Sequence, residues 1–135
     1  MTIYAVIDTN VLVSAMLSKN AEAATRKVAK AMIRGDIKIL YHKDILDEYR
    51  EVLTRSKFHF PLDRIKGILD FIVKEGIPSS RVQSSEFFPD PKDVVFYEVA
   101  LSKEEAYLVT GNKKHFPQKP IVVTPAEMMN ILSRK

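Results

Sequence analysis

The chain has 135 residues, 46% of them apolar and 28% charged, and its 21 Lys and Arg against 17 Asp and Glu leave a formal net charge of +4. Those figures describe one compact soluble domain over residues 1–135, long enough to bury a core without covalent staples. With no cysteine, disulfide frameworks, thiolate zinc sites and thiol nucleophiles are excluded, and the cytoplasm is the expected compartment.

The opening MTIYAVIDTNVLVSAML is broken at residue 8 by Asp-Thr-Asn and has no basic leader or cleavage site, so it reads as neither a signal peptide nor a membrane span. Within it, residues 3–7 form a nearly continuous apolar run that predicts a strand covered on both faces. Residues 10–17 and 21–34 are expected to be helical, the second with Ala24, Val28, Ala31 and Met32 at helical spacing and a stop at Gly35. A second strand, 37–41, precedes HKDILDEYREVLTR, whose Ile45, Leu46, Tyr49, Val52 and Leu53 make one apolar stripe. Residues 61–75 predict a helix stopped at Gly76, followed by a short strand and Ser-rich loop over 77–89. Asp90-Pro91-Lys92-Asp93 opens the apolar helix VVFYEVAL; a strand at 106–110, the turn Gly111-Asn112, a strand at 121–123 and a helix at 125–133 follow. Short apolar strands alternating with helices predict an α/β fold, a three-layer sandwich around a central parallel sheet, because parallel strands need crossover connections.

Ligands of open parallel sheets bind beyond the carboxyl ends of the strands. Asp8, Thr9 and Asn10 follow the first strand, Asp47 and Glu48 lie on the helix after the second, Asp90 and Asp93 precede the late helix, and Thr110-Gly111-Asn112 follows the strand after it. No glycine-rich phosphate loop is present. Each acid also has a structural reading. Asp8, Thr9 or Asn10 could cap the first helix, and Asp90-Pro91-Lys92-Asp93 has the form of a cap with Pro at the first helical position. Glu48 falls at the edge of the apolar stripe beside Val52, whereas Asp47 and Glu51 point away from it. His42 and His59 read as surface or loop residues, and His115 is close to the candidate site.

Carboxylates gathered at one sheet edge repel one another, which raises their pKa values unless a cation neutralises them. Oxygen ligands without cysteine or a histidine cluster suit Mg²⁺ or Mn²⁺ better than zinc. Such ions deprotonate water and stabilise the charge that develops in phosphodiester hydrolysis. Setting aside Asp8, Glu48, Asp90 and Asp93 leaves 21 basic against 13 acidic residues, +8 for the rest of the chain, a balance that suits a phosphate backbone.

The segments VIDTNVLVSA (6–15), ILDEYREVLTRSKF (45–58), DPKDVVFYEVAL (90–101) and YLVTGNKKHF (107–116) together resemble a PIN domain, in the branch of small stand-alone, VapC-like toxins of toxin-antitoxin pairs. The resemblance implies that Asp8, Glu48 and Asp93 are metal ligands and catalytic residues, with Asn10, Asp90 and Thr110 in support. It places Thr110 and Asn112 on the family's fourth motif, where relatives commonly carry another acid. Here position 112 is Asn and position 115 is His, so the site loses a charge, and an amide oxygen stands where a carboxylate ligand would. What the resemblance implies further is a Mg²⁺- or Mn²⁺-dependent ribonuclease leaving 5′-phosphate and 3′-hydroxyl ends, a homodimer, and a small antitoxin partner. Lys113 and Lys114, beside the fourth motif, are the expected RNA contacts. Two other readings compete. An aspartyl-phosphatase of the haloacid-dehalogenase type would use Asp8 as nucleophile, but it wants Asp at position 10. The other is a nuclease-inactive module that binds RNA or a protein partner.

Overall fold

The computed structural model describes residues 2–134. Five parallel strands form one sheet in the order β3-β2-β1-β4-β5, with six α-helices around it. The strands are β1 (Ile3–Ile7), β2 (Ile37–Tyr41), β3 (Ile77–Pro78), β4 (Tyr107–Val109) and β5 (Val122–Val123). The helices are α1 (Thr9–Leu17), α2 (Ala24–Arg34), α3 (Lys43–Leu53), α4 (Leu62–Glu75), α5 (Val94–Ala100) and α6 (Pro125–Ser133). The α/β fold expected from the alternation is the fold observed.

β1 is central because its residues can be buried from both sides: Ile3, Ala5, Val6 and Ile7 are all buried. It pairs through Ile3 with Ile37 and Ala5 with Ile39 on one side, and through Val6 with Leu108 and Ile7 with Val109 on the other. The order runs outward from β1 in both directions, so right-handed crossovers put the connections leading to β2 and β3 on one face and those leading to β4 and β5 on the other. The α2 helix packs on β2, α1 and α6, whereas α5 packs on β1, β4 and β2 and meets α3. The reversal falls between β1 and β4, and that is where a sheet of this kind opens a crevice beyond its strand ends.

Several boundaries differ from the sequence reading for local reasons. Helix α2 begins at Ala24 and not at 21, because the Asn20 carboxamide oxygen accepts the Glu22 N–H and draws the backbone into a turn. Strand β3 has only two residues, both exposed at the sheet edge, and one is Pro78, which edge strands tolerate. The first turn after Asp90 is a 3₁₀ turn, Pro91–Asp93, before α5 proper begins. Gly35 ends α2 with a left-handed φ of +88°. Gly76 ends α4 in extended backbone, and its role is close approach: an added Cβ would run into the Ile72 carbonyl and lie 2.8 Å from the Ile39 carbonyl oxygen.

Residues 79–90 have no regular structure, yet they are pinned. The Glu98 carboxylate, buried within α5, accepts Arg81 Nε at 2.9 Å, Arg81 Nη2 at 2.7 Å and the Ser84 N–H at 2.9 Å. Arg81 Nη1 reaches on to Asp44 of α3 at 2.8 Å.

Candidate active site

The β1 chain runs straight into the site. The Asp8 N–H donates to the Val109 carbonyl at 2.9 Å, which extends the β1–β4 ladder by one residue and leaves the Asp8 side chain at the switch point. Asp8 is buried, 6% exposed, and although it holds the N-cap position of α1 its side chain makes no capping hydrogen bond. Its carboxylate is instead fixed from across the sheet. Thr110, fully buried at the end of β4, donates its hydroxyl to Asp8 Oδ2 at 2.7 Å and accepts the Asn112 N–H at 3.0 Å. Burial pushes the Asp8 carboxyl up, against the opposing pull of the Thr110 hydroxyl, the Thr9 amide, His115 and Asn10.

Glu48 is placed by its neighbour. Tyr49 is fully buried, its ring packs against Phe96, and its hydroxyl donates to the carbonyl of Ile7 at the end of β1. That bond locks α3 over the strand end and sets Glu48, one residue earlier, at the rim of the crevice. Burial is the main influence raising the Glu48 carboxyl; Glu51 and Asp90 add to it, and Lys92 and Arg55 oppose it.

Asp90 and Asp93 divide the two readings of their motif. Asp90 is a cap, its Oδ1 accepting the Lys92 N–H at 3.0 Å, with Pro91 at the first position of the turn. Asp93 makes no cap bond with its side chain. Its Oδ2 is buried and has no hydrogen-bond partner, although His115 Nδ1 lies 3.4 Å away in an ion-pair contact. Burial, then the negative charges of Asp8 and Asp90, push the Asp93 carboxyl up to about 6, with His115 pulling against them.

Asp8, Glu48, Asp90 and Asp93 therefore line one open cleft of about 690 Å³, together with Asn10, Ser14, Arg55, Phe58 and His115. A second cavity, about 590 Å³ between α1, α2 and α4, is lined mainly by apolar side chains and holds no carboxylate. The Asn10 side chain faces the turn after β4, its Oδ1 accepting the Gly111 N–H at 3.1 Å. Asn112, read from the sequence as a further metal ligand, turns its amide to His115, with Nδ2 3.0 Å from Nε2, and is not among the cleft-lining residues. With that nitrogen accepting, the neutral imidazole carries its proton on Nδ1, toward Asp93. Lys113 reaches Glu127 of the α6 capping box at 3.2 Å; Lys114 is exposed, and neither lines the cleft.

Arg55 and Phe58 are cleft residues that the sequence reading did not single out, and His115, read as close to the site, was given no place in the ligand set. For His115 the available signal was its spacing of three from Asn112, which a 3₁₀ turn over Lys113–His115 converts into a side-chain contact. Arg55 holds Glu51 at 2.9 Å across one helical turn and so lies at the same rim as Glu48.

Among the described residues, no three Asp, Glu or His side chains stand close enough to form a ready-made metal cage. The donor set still fits a hard cation that keeps several waters and takes only one or two carboxylates from the protein. The unsatisfied, buried Asp93 Oδ2 and Thr9 Oγ1 are oxygens in need of a partner, and burial raises the Asp8, Glu48 and Asp93 carboxyls, with neighbouring acids adding to it at Glu48 and Asp93.

The PIN-domain family profile matches residues 4–114, from the second residue of β1 to the turn that carries Asn112. The chain belongs to the PIN-domain family. None of the curated proteins matches it in sequence. PIN domains are generally nucleases and typically use divalent metal ions, so the fold and the acid cleft agree in kind. The match takes in all the cleft acids, whereas β5 and α6 lie beyond it. No helix among the described residues of this PIN domain is long and apolar enough to cross a membrane.

Proposed function

We propose that this PIN domain is a metal-dependent endoribonuclease in which Asp8, Glu48 and Asp93 hold Mg²⁺ or Mn²⁺. The observation that carries the reading is Asp93, a carboxyl pushed up to about 6 with a buried oxygen that no hydrogen bond satisfies, within electrostatic reach of Asp8. When bound, the ion supplies a Lewis acid that lowers the pKa of a water and offsets the charge developing on the phosphodiester. The residues of the chain prepare the place. Thr110 fixes the Asp8 carboxylate by donating to its Oδ2. Asn10 braces the Gly111 turn, and Asn112 holds His115, whose Nδ1 stands 3.4 Å from Asp93 Oδ2. Asp90 adds negative charge from its cap position.

The RNA backbone is held by cations at the rim, Arg55 among them, with Lys113 and Lys114 beyond the fourth motif. The Lys113–Glu127 pair is exposed, and such pairs are weak enough for a phosphate to displace. Products with 5′-phosphate and 3′-hydroxyl ends, a toxin role in the cytoplasm, a homodimer and a small antitoxin partner complete the reading by family resemblance.

The test is cleavage of an end-labelled pool of RNAs by the purified protein with Mn²⁺, Mg²⁺ or EDTA, beside Asp8→Asn. Cleavage should need the metal and fall by about 100-fold or more in the variant, the scale on which metal-site changes act. Activity that survives both EDTA and Asp8→Asn overturns the assignment. The second reading, a nuclease-inactive binding module, is favoured by one observation: Asn112 stands where relatives carry an acid and spends its amide on His115. Folded protein that binds RNA without cleaving it under any metal would select that reading.

A further inference from the structure

Phe58 is an aromatic side chain that the hydrophobic core does not use. After α3 the chain makes a 3₁₀ turn over Ser56–Phe58 and passes through His59, whose φ of +56° is left-handed. Residues with a side chain seldom adopt that conformation. On its far side Phe60 packs against the core, and the Phe58 ring lies on Phe60 with centroids 5.4 Å apart and planes inclined by 12°. Phe58 is absent from the set of side chains packed on the core and instead lines the acid cleft, as do Glu48, Val52 and Arg55 on the approach to it. Two cations lie over the rings of the pair: Lys57 Nζ over Phe58, 5.1 Å from its centroid, and the Arg64 guanidinium over Phe60, 5.8 Å from its centroid.

We propose that Phe58 is the platform on which an unpaired base of the RNA stacks beside the cleft. The proposal rests on the ribonuclease reading above. An acidic cleft repels phosphate, so the strand has to be held by groups other than the acids. Phe58 lines the same cleft as Glu48 but from the 3₁₀ turn beyond the end of α3, which puts the ring beside the acids and not among them. A ring backed by a second ring takes any base on its face; the base replaces the exposed Lys57 ammonium that lies over Phe58, and Lys57 and Arg55 then meet the phosphates on either side of it. A duplex hides its base faces in the stack and cannot use such a platform.

The chain contains no tryptophan, so Phe58→Trp introduces a single indole at the platform. In an Asp8→Asn background, which removes turnover, a single-stranded oligoribonucleotide should quench that indole, and the same sequence annealed into a duplex should not. Phe58→Leu keeps apolar bulk without an aromatic face. By fluorescence anisotropy it should bind the single strand about tenfold more weakly, as loss of one stacked base does. Its binding of the duplex and its melting temperature should be unchanged. Unquenched indole with bound single strand, equal affinity of Phe58→Leu and Phe58, or absence of RNA binding by the folded protein would each overturn the proposal. The two readings fail separately. Cleavage that survives Asp8→Asn sinks the metal site, whereas cleavage indifferent to Phe58→Leu at subsaturating substrate sinks only the platform.

Discussion

Burial, with Asp8 and Asp90 nearby, pushes the Asp93 carboxyl up to about 6, so in the metal-free fold it keeps its proton to a higher pH than in the unfolded chain. The folded state favours the neutral form. That contribution to stability is complete below the ordinary carboxylate pKa and is lost as the pH rises through about 6. The metal-free protein should therefore lose thermal stability between about pH 4 and pH 6, and Asp93→Asn should flatten that loss. At neutral pH the variant should melt about 3–6 °C higher than the parent without metal, the shift expected for about 1 kcal/mol in a domain of this size. Added Mn²⁺ should raise the melting temperature of the parent more than that of the variant. Scanning calorimetry across pH, with and without the ion, reads all of this, and superposable pH profiles would remove Asp93 from the charged cluster. At this scale much of the site was legible. Asp8 after its strand, Glu48 at a helix edge and Asp93 before the late helix were candidates in the sequence and stand on one cleft, and the cap at Asp90 was announced by its Pro. The Thr110–Asp8 bond, across 102 residues, and the His115–Asp93 contact were not, since no local pattern encodes which side chains the sheet brings together.

The two glycines at either end of this comparison belong to one helix and should respond in opposite ways. Gly67, inside α4, has open space where a Cβ would go. Gly67→Ala should stabilise the protein by about 0.5–1 kcal/mol, because Ala restricts the unfolded chain and favours the helix. At Gly76 the atoms in the way are the backbone carbonyls of Ile72 and Ile39, which cannot swing aside. Gly76→Ala should destabilise by about 1–3 kcal/mol, the range for overpacking, and pull β3 away from β2. Urea denaturation of the two variants checks the pair, and a destabilised Gly67→Ala or a neutral Gly76→Ala would refute it. Both glycines look alike in sequence, one inside a periodic run and one at its end. Periodicity located the helices because it reflects which face is buried. It could not separate a glycine that stops a helix by a left-handed turn, such as Gly35, from one that makes room for a neighbouring strand.

On the scale of the whole molecule, alternation of strand and helix was enough to call for a parallel sheet, since hardly any other arrangement buries such strands on both faces. The strand order was not legible, because it depends on which way each crossover turns. Nor was the pinning of residues 79–90, although Glu98 in an otherwise apolar helix was a visible oddity. Its partner Arg81 stands 17 residues away in a segment without periodicity. Arg81 joins α3, the irregular segment and α5, and without it the Glu98 charge is left buried with only the Ser84 N–H. Arg81→Ala should cost about 3–5 kcal/mol, as stranded buried charges do, and Arg81→Lys should recover only part of it. Hydrogen exchange should quicken in residues 79–90 before it does in β1; a uniform change, or none, would count against the pin.

The bond between Thr110 and Asp8 also has a consequence in time. Asp8 leaves the ribosome 102 residues before the hydroxyl that fixes its carboxylate. A nascent chain holds Asp8 on a strand with no β4 beside it, so the pocket closes only once β4 has been made and the central strand has gained its second neighbour. Fragments that stop before β4 keep Asp8, Glu48 and Asp93 yet lack the strand that pairs with the end of β1. The acids are all synthesised before the cleft they line can close.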